Sequence, residues 1–165
     1  MEDYLHDMRI AQKFSNRNRE TMARKILRFL EIGVWTVEFF ETVHNYIDDD
    51  NMLRKGAVSA KKGEEILIPI NMRDGSLLCV GKGNADWNFS APHGAGRLMS
   101  RSQAKRTLSV EKFEQSMEGV YTSSVGKGTL DEAPMAYKSM EHIVNNSSDT
   151  MEIKELLKPI YNFKS

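Results

Sequence analysis

In this chain of 165 residues, one histidine stands where the neighbouring residue types could support phosphate chemistry. The stretch Ser90-Ala91-Pro92-His93-Gly94-Ala95-Gly96-Arg97-Leu98-Met99-Ser100-Arg101 sets His93 at the mouth of a Gly-Ala-Gly turn, with arginines four and eight residues further on. No Asp or Glu occurs between Trp87 and Val110, whereas Arg97, Arg101, Lys105 and Arg106 all fall there. Against a formal net charge of zero, this is the main electrostatic asymmetry of the chain. Gly94 and Gly96 let the backbone approach a ligand closely and aim successive N–H groups at an anion. Ser100 and Gln103 have the spacing of a capping box, which would place Arg101 and Lys105 on one helical face. An imidazole among cations and free amides suits attack on a phosphate, because the developing negative charge meets fixed donors. The same residues also fit a surface loop followed by a solvated basic helix. The local motif is too short to decide between the two.

Ala91-Pro92-His93-Gly94-Ala95-Gly96-Arg97 with Met99-Ser100-Arg101 resembles the signature of the RtcB family of RNA-splicing ligases. Val43-His44-Asn45, Arg54-Lys55-Gly56-Ala57, Glu132-Ala133-Pro134 with Tyr137, and Lys164 follow in the family's order. The resemblance covers the C-terminal part of the family, whose members are usually more than twice as long. It implies a GTP-dependent ligase that joins RNA 3′-phosphate, or 2′,3′-cyclic phosphate, ends to 5′-hydroxyl ends through a guanylylated histidine. On that pattern His93 is the nucleophile and His44 a ligand of a manganese site, Mn²⁺ being an ion that neutral imidazole suits. Lys55, Arg97 and Arg101 contact phosphate or RNA. Ser76, Tyr137, Lys164, Gly94 and Gly96 hold the guanine nucleotide. Two departures stand out. Where the family has a Pro-Gly-Ser-Met loop, this chain has Pro69-Ile70-Asn71-Met72. The family's Asp-x-x-Cys motif, its Gly-Asn-His segment and a further metal-binding histidine have no counterpart here. Three expectations follow: a piece of a longer ligase, a half that needs a second chain to supply metal ligands, or a degenerate, non-catalytic module that binds nucleotide or RNA ends.

Composition narrows the class from the other side. Hydrophobic content of 40% and charged content of 28% are ordinary for a globular domain, and the length suits one core. No apolar run is long enough to span a membrane. The start Met-Glu-Asp-Tyr-Leu-His-Asp has no apolar signal core, so a cytoplasmic location is expected. The single cysteine, Cys79, fits a reducing compartment and reads as a small buried hydrophobe in Leu77-Leu78-Cys79-Val80.

The elements that must position these residues can be read in outline. Apolar residues at three- and four-residue steps predict a long helix over residues 3–30, stopped near Gly33, with Arg17, Arg19, Arg24, Lys25 and Arg28 on a solvated face. Residues 35–47 read as a strand. Asp48-Asp49-Asp50-Asn51 reads as a polar turn, since it lacks the spacing of a calcium loop. Strands are expected over residues 65–70, 76–80 and 88–91, with Arg73-Asp74-Gly75 as a hairpin turn. After the basic helix come a short helix over 109–117 and a strand over 120–125. A further helix starts at Asp131-Glu132-Ala133-Pro134, with Tyr137, Met140, Glu141 and Val144 on one face. His142 reads as a surface residue. The expected fold is a single α+β domain over residues 1–165, with mixed strands, several short helices and one long N-terminal helix. His93, His44, Lys55 and Arg97 are expected around one cavity.

Overall fold

The computed structural model describes residues 1–163, and its mixture of helices and strands is α+β as expected. It divides into two compact units, one made of Met1–Glu41 with Tyr46–Leu53, the other of Thr42–Asn45 with the chain from Arg54 onward.

The first unit is dominated by helix α1, Glu2–Phe29. Three of its basic residues are paired: Arg17 and Arg24 reach Glu20 at 3.3 and 2.7 Å, and Arg19 reaches Glu41 at 2.6 Å; Lys25 and Arg28 are exposed. No residue of α1 is buried. The helix ends before Gly33, because Glu31 turns left-handed at φ 57°. Residues 35–47 do not form one strand. A 3-10 turn at Val34–Thr36 is followed by irregular chain, and only Asn45–Ile47 (β1) is extended and paired. The Asp48 carboxylate accepts the N–H groups of Asp50 and Met52 at 3.0 and 2.9 Å. This Asx-type turn uses the carboxylate for structure.

In the second unit, sheet order and alternation place the core. Strands β4 (Glu65–Asn71), β5 (Gly75–Gly81) and β8 (Met151–Leu157) form an antiparallel sheet with β5 in the centre. Ile66, Ile68 and Ile70 of β4 and Leu77 and Cys79 of β5 alternate inward. Each such aliphatic side chain contributes about 1.5–3 kcal/mol by leaving water. The β4–β5 turn needs Gly75, whose φ is +84° and whose Cβ would collide with the Leu157 carbonyl. Val58, Ala60, Ala91, Ala95, Ile143 and Met151 complete this core. Val58 lies on β3 (Ala57–Ser59) and Ala91 on β6 (Ser90–Pro92), which pair antiparallel. Helix α4, Met140–Ser147, supplies Ile143.

A second core gathers Met72, Phe113, Met117, Leu130 and Ala133. Helix α2 (Arg101–Thr107) begins at the serine cap expected for it, and α3 (Val110–Ser116) begins one residue after the expected start, behind a serine cap that was not anticipated. Ser100 accepts the Gln103 N–H and Ser109 that of Lys112. Residues 120–125 give only the two-residue strand β7, Tyr121–Thr122, parallel to β9, Tyr161–Asn162. The Ser124 N–H is taken by the Thr122 hydroxyl at 3.0 Å, which ends the ladder. The helix expected from Asp131 is also displaced. Lys127–Glu132 and Pro134–Ala136 are 3-10 turns, Tyr137 is extended at φ −116° and ψ 155°, and the helix begins only after Ser139. Glu141 and Val144 therefore lie on α4 without Tyr137.

Candidate functional site

The histidine loop is held by backbone on both flanks. On one, Ala95 is buried in the core and its N–H donates to the Pro69 carbonyl at 3.1 Å. A Cβ at Gly94 would sit 3.0 Å from that same carbonyl, a tight contact that any larger residue would have to relieve by a small shift of the loop from β4. On the other flank, Leu98 N–H donates to the Ala136 carbonyl at 2.8 Å and Lys138 N–H to the Gly96 carbonyl at 3.1 Å. This short antiparallel bridge sets Arg97 opposite Tyr137. It outcompetes helix formation at Tyr137, which explains why the aromatic residue is extended.

The loop forms one wall of a cleft of about 650 Å³. His93, Gly94, Gly96, Arg97, Arg101, Tyr137 and Ser76 all line it. These residues come from β5, the loop, α2 and the chain after Pro134, so folding gathers most of the sequence-predicted set. His44 is not among the residues lining the cleft, but its ring stacks on that of His93 with centroids 5.1 Å apart and planes 19° apart. Lys55, the last residue of β2 (Leu53–Lys55), is exposed and is not among the residues lining the cleft. Its neighbour Gly56 makes the connection instead. Lys164 lies outside the described residues.

The His93 ring has a defined chemistry. Its Nδ1 is 2.6 Å from the Gly56 carbonyl oxygen. A carbonyl can only accept, so Nδ1 carries the proton and donates. In the neutral ring the lone pair is therefore on Nε2. Gly56 is itself fixed, its N–H donating to the His44 carbonyl at 2.9 Å and to the Asn45 side-chain oxygen at 3.2 Å. The segment Val43-His44-Asn45 thus acts through backbone and amide contacts as well as through its imidazole.

The arginines are more engaged than their sequence suggests. The Arg97 guanidinium donates to the Met99 carbonyl at 3.1 Å, to the Tyr137 hydroxyl at 2.9 Å and to the Asp131 carbonyl. It also lies 4.8 Å from the Tyr137 ring centroid, within cation–π range. The Tyr137 hydroxyl in turn donates to the Glu132 carboxylate at 2.8 Å. Burial, reinforced by that carboxylate, pushes the phenol up to about 12, so it remains a donor. Arg101 bridges Asp131 and Glu132, each at 2.6 Å, and Lys105 reaches Asp131 at 3.3 Å. Arg101 and Lys105 thus share a helical face, as their spacing implied. Burial raises the Asp131 pKa, but hydrogen bonds from Arg101 and Lys105 outweigh it and hold the carboxyl below its ordinary value.

Asp131 and the Gly56 carbonyl were not singled out as site residues from the sequence, and neither was Glu132. The signals available were the Glu-Ala-Pro and Lys-Gly-Ala segments, which mark position without revealing these contacts. Cys79 is fully buried, and burial pushes its thiol up to about 11; it has no nucleophilic role. Among the described residues, no three His, Cys, Asp or Glu side chains converge as metal ligands. His44 offers one donor, so the described residues do not fit a resident manganese centre by themselves.

The sequence profile of the family described as tRNA-splicing ligase RtcB matches residues 1–165. The RNA-splicing ligase RtcB of Escherichia coli is 33% identical over 96% of this chain, which spans 43% of that relative's length. The tRNA-splicing ligase RtcB of Aeropyrum pernix is 40% identical over 49% of this chain and 18% of its own. That of Nanoarchaeum equitans is 30% identical over 87% of this chain and 38% of its own. The chain thus spans less than half the length of these curated relatives. With a match that runs its whole length, and a loop that places histidine and arginine on one cleft, the chain belongs to the RtcB family.

Proposed function

We propose that this chain carries the guanylate-accepting part of a GTP-dependent RNA ligase that joins RNA 3′-phosphate or 2′,3′-cyclic phosphate ends to 5′-hydroxyl ends. The observation that carries the reading is the hydrogen bond from His93 Nδ1 to the Gly56 carbonyl, which leaves Nε2 as the nucleophilic nitrogen of a residue lining the cleft. The Nε2 lone pair attacks the α-phosphorus of GTP, the bond to the bridging oxygen breaks and pyrophosphate leaves. The Gly56 carbonyl steadies the Nδ1 proton as the ring becomes electron-poor. An oxygen of the RNA 3′-phosphate then displaces His93 from the guanylate. Finally the 5′-hydroxyl oxygen attacks the activated 3′-phosphorus, GMP leaves and the hydroxyl proton passes to solvent. A cyclic end must first be opened by water to the 3′-phosphate. Arg97 meets the phosphates with a planar donor set, while Ser76, Tyr137 and Lys164 hold the nucleotide. Mn²⁺ would neutralise the clustered phosphates, with His44 as one donor and the remaining donors supplied by another polypeptide segment, in the same chain or a second one.

A second reading follows from that incomplete ligand set: taken alone, these 165 residues bind nucleotide or RNA ends without turnover. One experiment separates the two readings. Incubated alone with labelled GTP and Mn²⁺, the chain is expected to take up little acid-labile label. Addition of the remaining part of a relative, in cis or as a second chain, restores labelling, and His93→Ala abolishes it. Restored labelling that survives His93→Ala removes His93 as nucleophile. Failure to restore any labelling leaves the binding module.

A further inference from the structure

The bridge that delivers Arg97 and Tyr137 to the cleft has a second face. Successive side chains along extended backbone point to opposite sides, so Leu98 and Lys138 are turned away from that pair. Both line a separate pocket of about 430 Å³. Its other walls are Arg73, Asp74, Pro134, Met135, Ser139 and His142, and it shares Asn71 and Tyr137 with the cleft. The two cavities are therefore neighbours across one aromatic ring.

The chemistry of this pocket differs from a core defect. Leu98 is 64% exposed although it sits in a half-buried loop, and the half-buried Met135 adds apolar surface next to it. Arg73 and Asp74 neutralise each other through hydrogen bonds of 2.7 and 3.0 Å. Lys138 has no carboxylate partner among the described residues, and His142 is exposed at the same mouth. The pocket thus offers a cation, a titratable imidazole and an apolar platform, a combination that suits a phosphate followed by a base.

We infer that this pocket is a subsite for the nucleotide immediately upstream of the RNA 3′ end. The inference rests on the RNA-ligase reading above and adds where the strand runs. The terminal phosphate occupies the cleft beside His93 and Arg97, the strand leaves past Asn71, which lines both cavities, and the next phosphate meets Lys138 with its base on Leu98 and Met135. A single-stranded polyanion uses the lysine, the imidazole and the platform together.

The test is fluorescence anisotropy of the full chain, a labelled oligoadenylate being competed off by adenosine 3′-phosphate or by the diadenylate ending in a 3′-phosphate. The wild type is expected to bind the diadenylate about tenfold more tightly, the gain from one stacked base. Lys138→Ala combined with Leu98→Ala is expected to bind both lengths alike, and Lys138→Ala alone to reduce the salt slope by roughly 0.7. Leu98 is mostly exposed and Lys138 is not a core residue, and circular dichroism confirms that the variants fold. A tenfold gain that survives in the double variant, or no gain in the wild type, overturns the subsite and leaves the ligase reading intact. No RNA binding at either length overturns both.

Discussion

His93 was legible as the candidate nucleophile because two glycines and an arginine follow it within four residues. What holds it was not legible. The atom that fixes its tautomer belongs to Gly56, 37 residues earlier, and main-chain carbonyls carry no signature in a sequence. Gly56 has φ +69°, while a Cβ there would meet the His93 ring only at an ordinary 3.6 Å. Gly56→Ala should therefore cost about 1–2 kcal/mol through left-handed strain, read by urea unfolding, and slow guanylylation in the completed enzyme. Tyr137→Phe removes a hydroxyl that accepts from Arg97 and donates to Glu132. A loss of about 1–3 kcal/mol is expected, because both partners keep their charge without it. Asp131 gives a pH signature. Its folded pKa lies below the unfolded value of 3.8, so its contribution is complete above that value and is lost as pH falls through the folded one. The stability gap between wild type and Asp131→Asn should accordingly be widest near neutral pH and narrow towards pH 3. A gap independent of pH would show that Asp131 is not held by Arg101 and Lys105.

Among the elements, the sheet and the capped helices follow from local rules. Alternation fixed the inward set Ile66, Ile68, Leu77 and Cys79, and Ser100 marked a helix start that the backbone uses. The segment around Tyr137 shows where local rules give way. Proline in the first turn made a helix plausible from Asp131, yet pairing with residues 96–98 claims the backbone of Ala136 and Lys138. That partner lies about forty positions away, beyond any local pattern. The helix then starts late, with Ser139 accepting the His142 N–H at 3.1 Å. Ser139→Ala should cost about 1 kcal/mol, measured as a lower urea midpoint with unchanged slope. Loss of this cap also frees the chain that carries Lys138, so the length dependence of RNA binding should weaken with it.

At the scale of the whole molecule, the units are unequally built. The second holds both buried cores, whereas α1, Glu2–Phe29, buries none of its side chains. Native-state hydrogen exchange should therefore show α1 amides exchanging well before those of β4 and β5, since opening α1 exposes little further apolar surface. Equal protection across both would mean that α1 is covered in solution. Length and composition suited a single core but could not show this contrast, because an amphipathic stripe has the same pattern with or without a partner.

The contact between His93 and Gly56 also bears on how such a site can change by mutation. The acceptor is part of the main chain, so no codon at position 56 can delete it. A substitution there can only displace it. The histidine's supporting partner is thus shielded from single-step loss, while the histidine itself is not. Lineages that abandon the chemistry would be expected to lose His93 first and to keep the backbone at Gly56 that once oriented it.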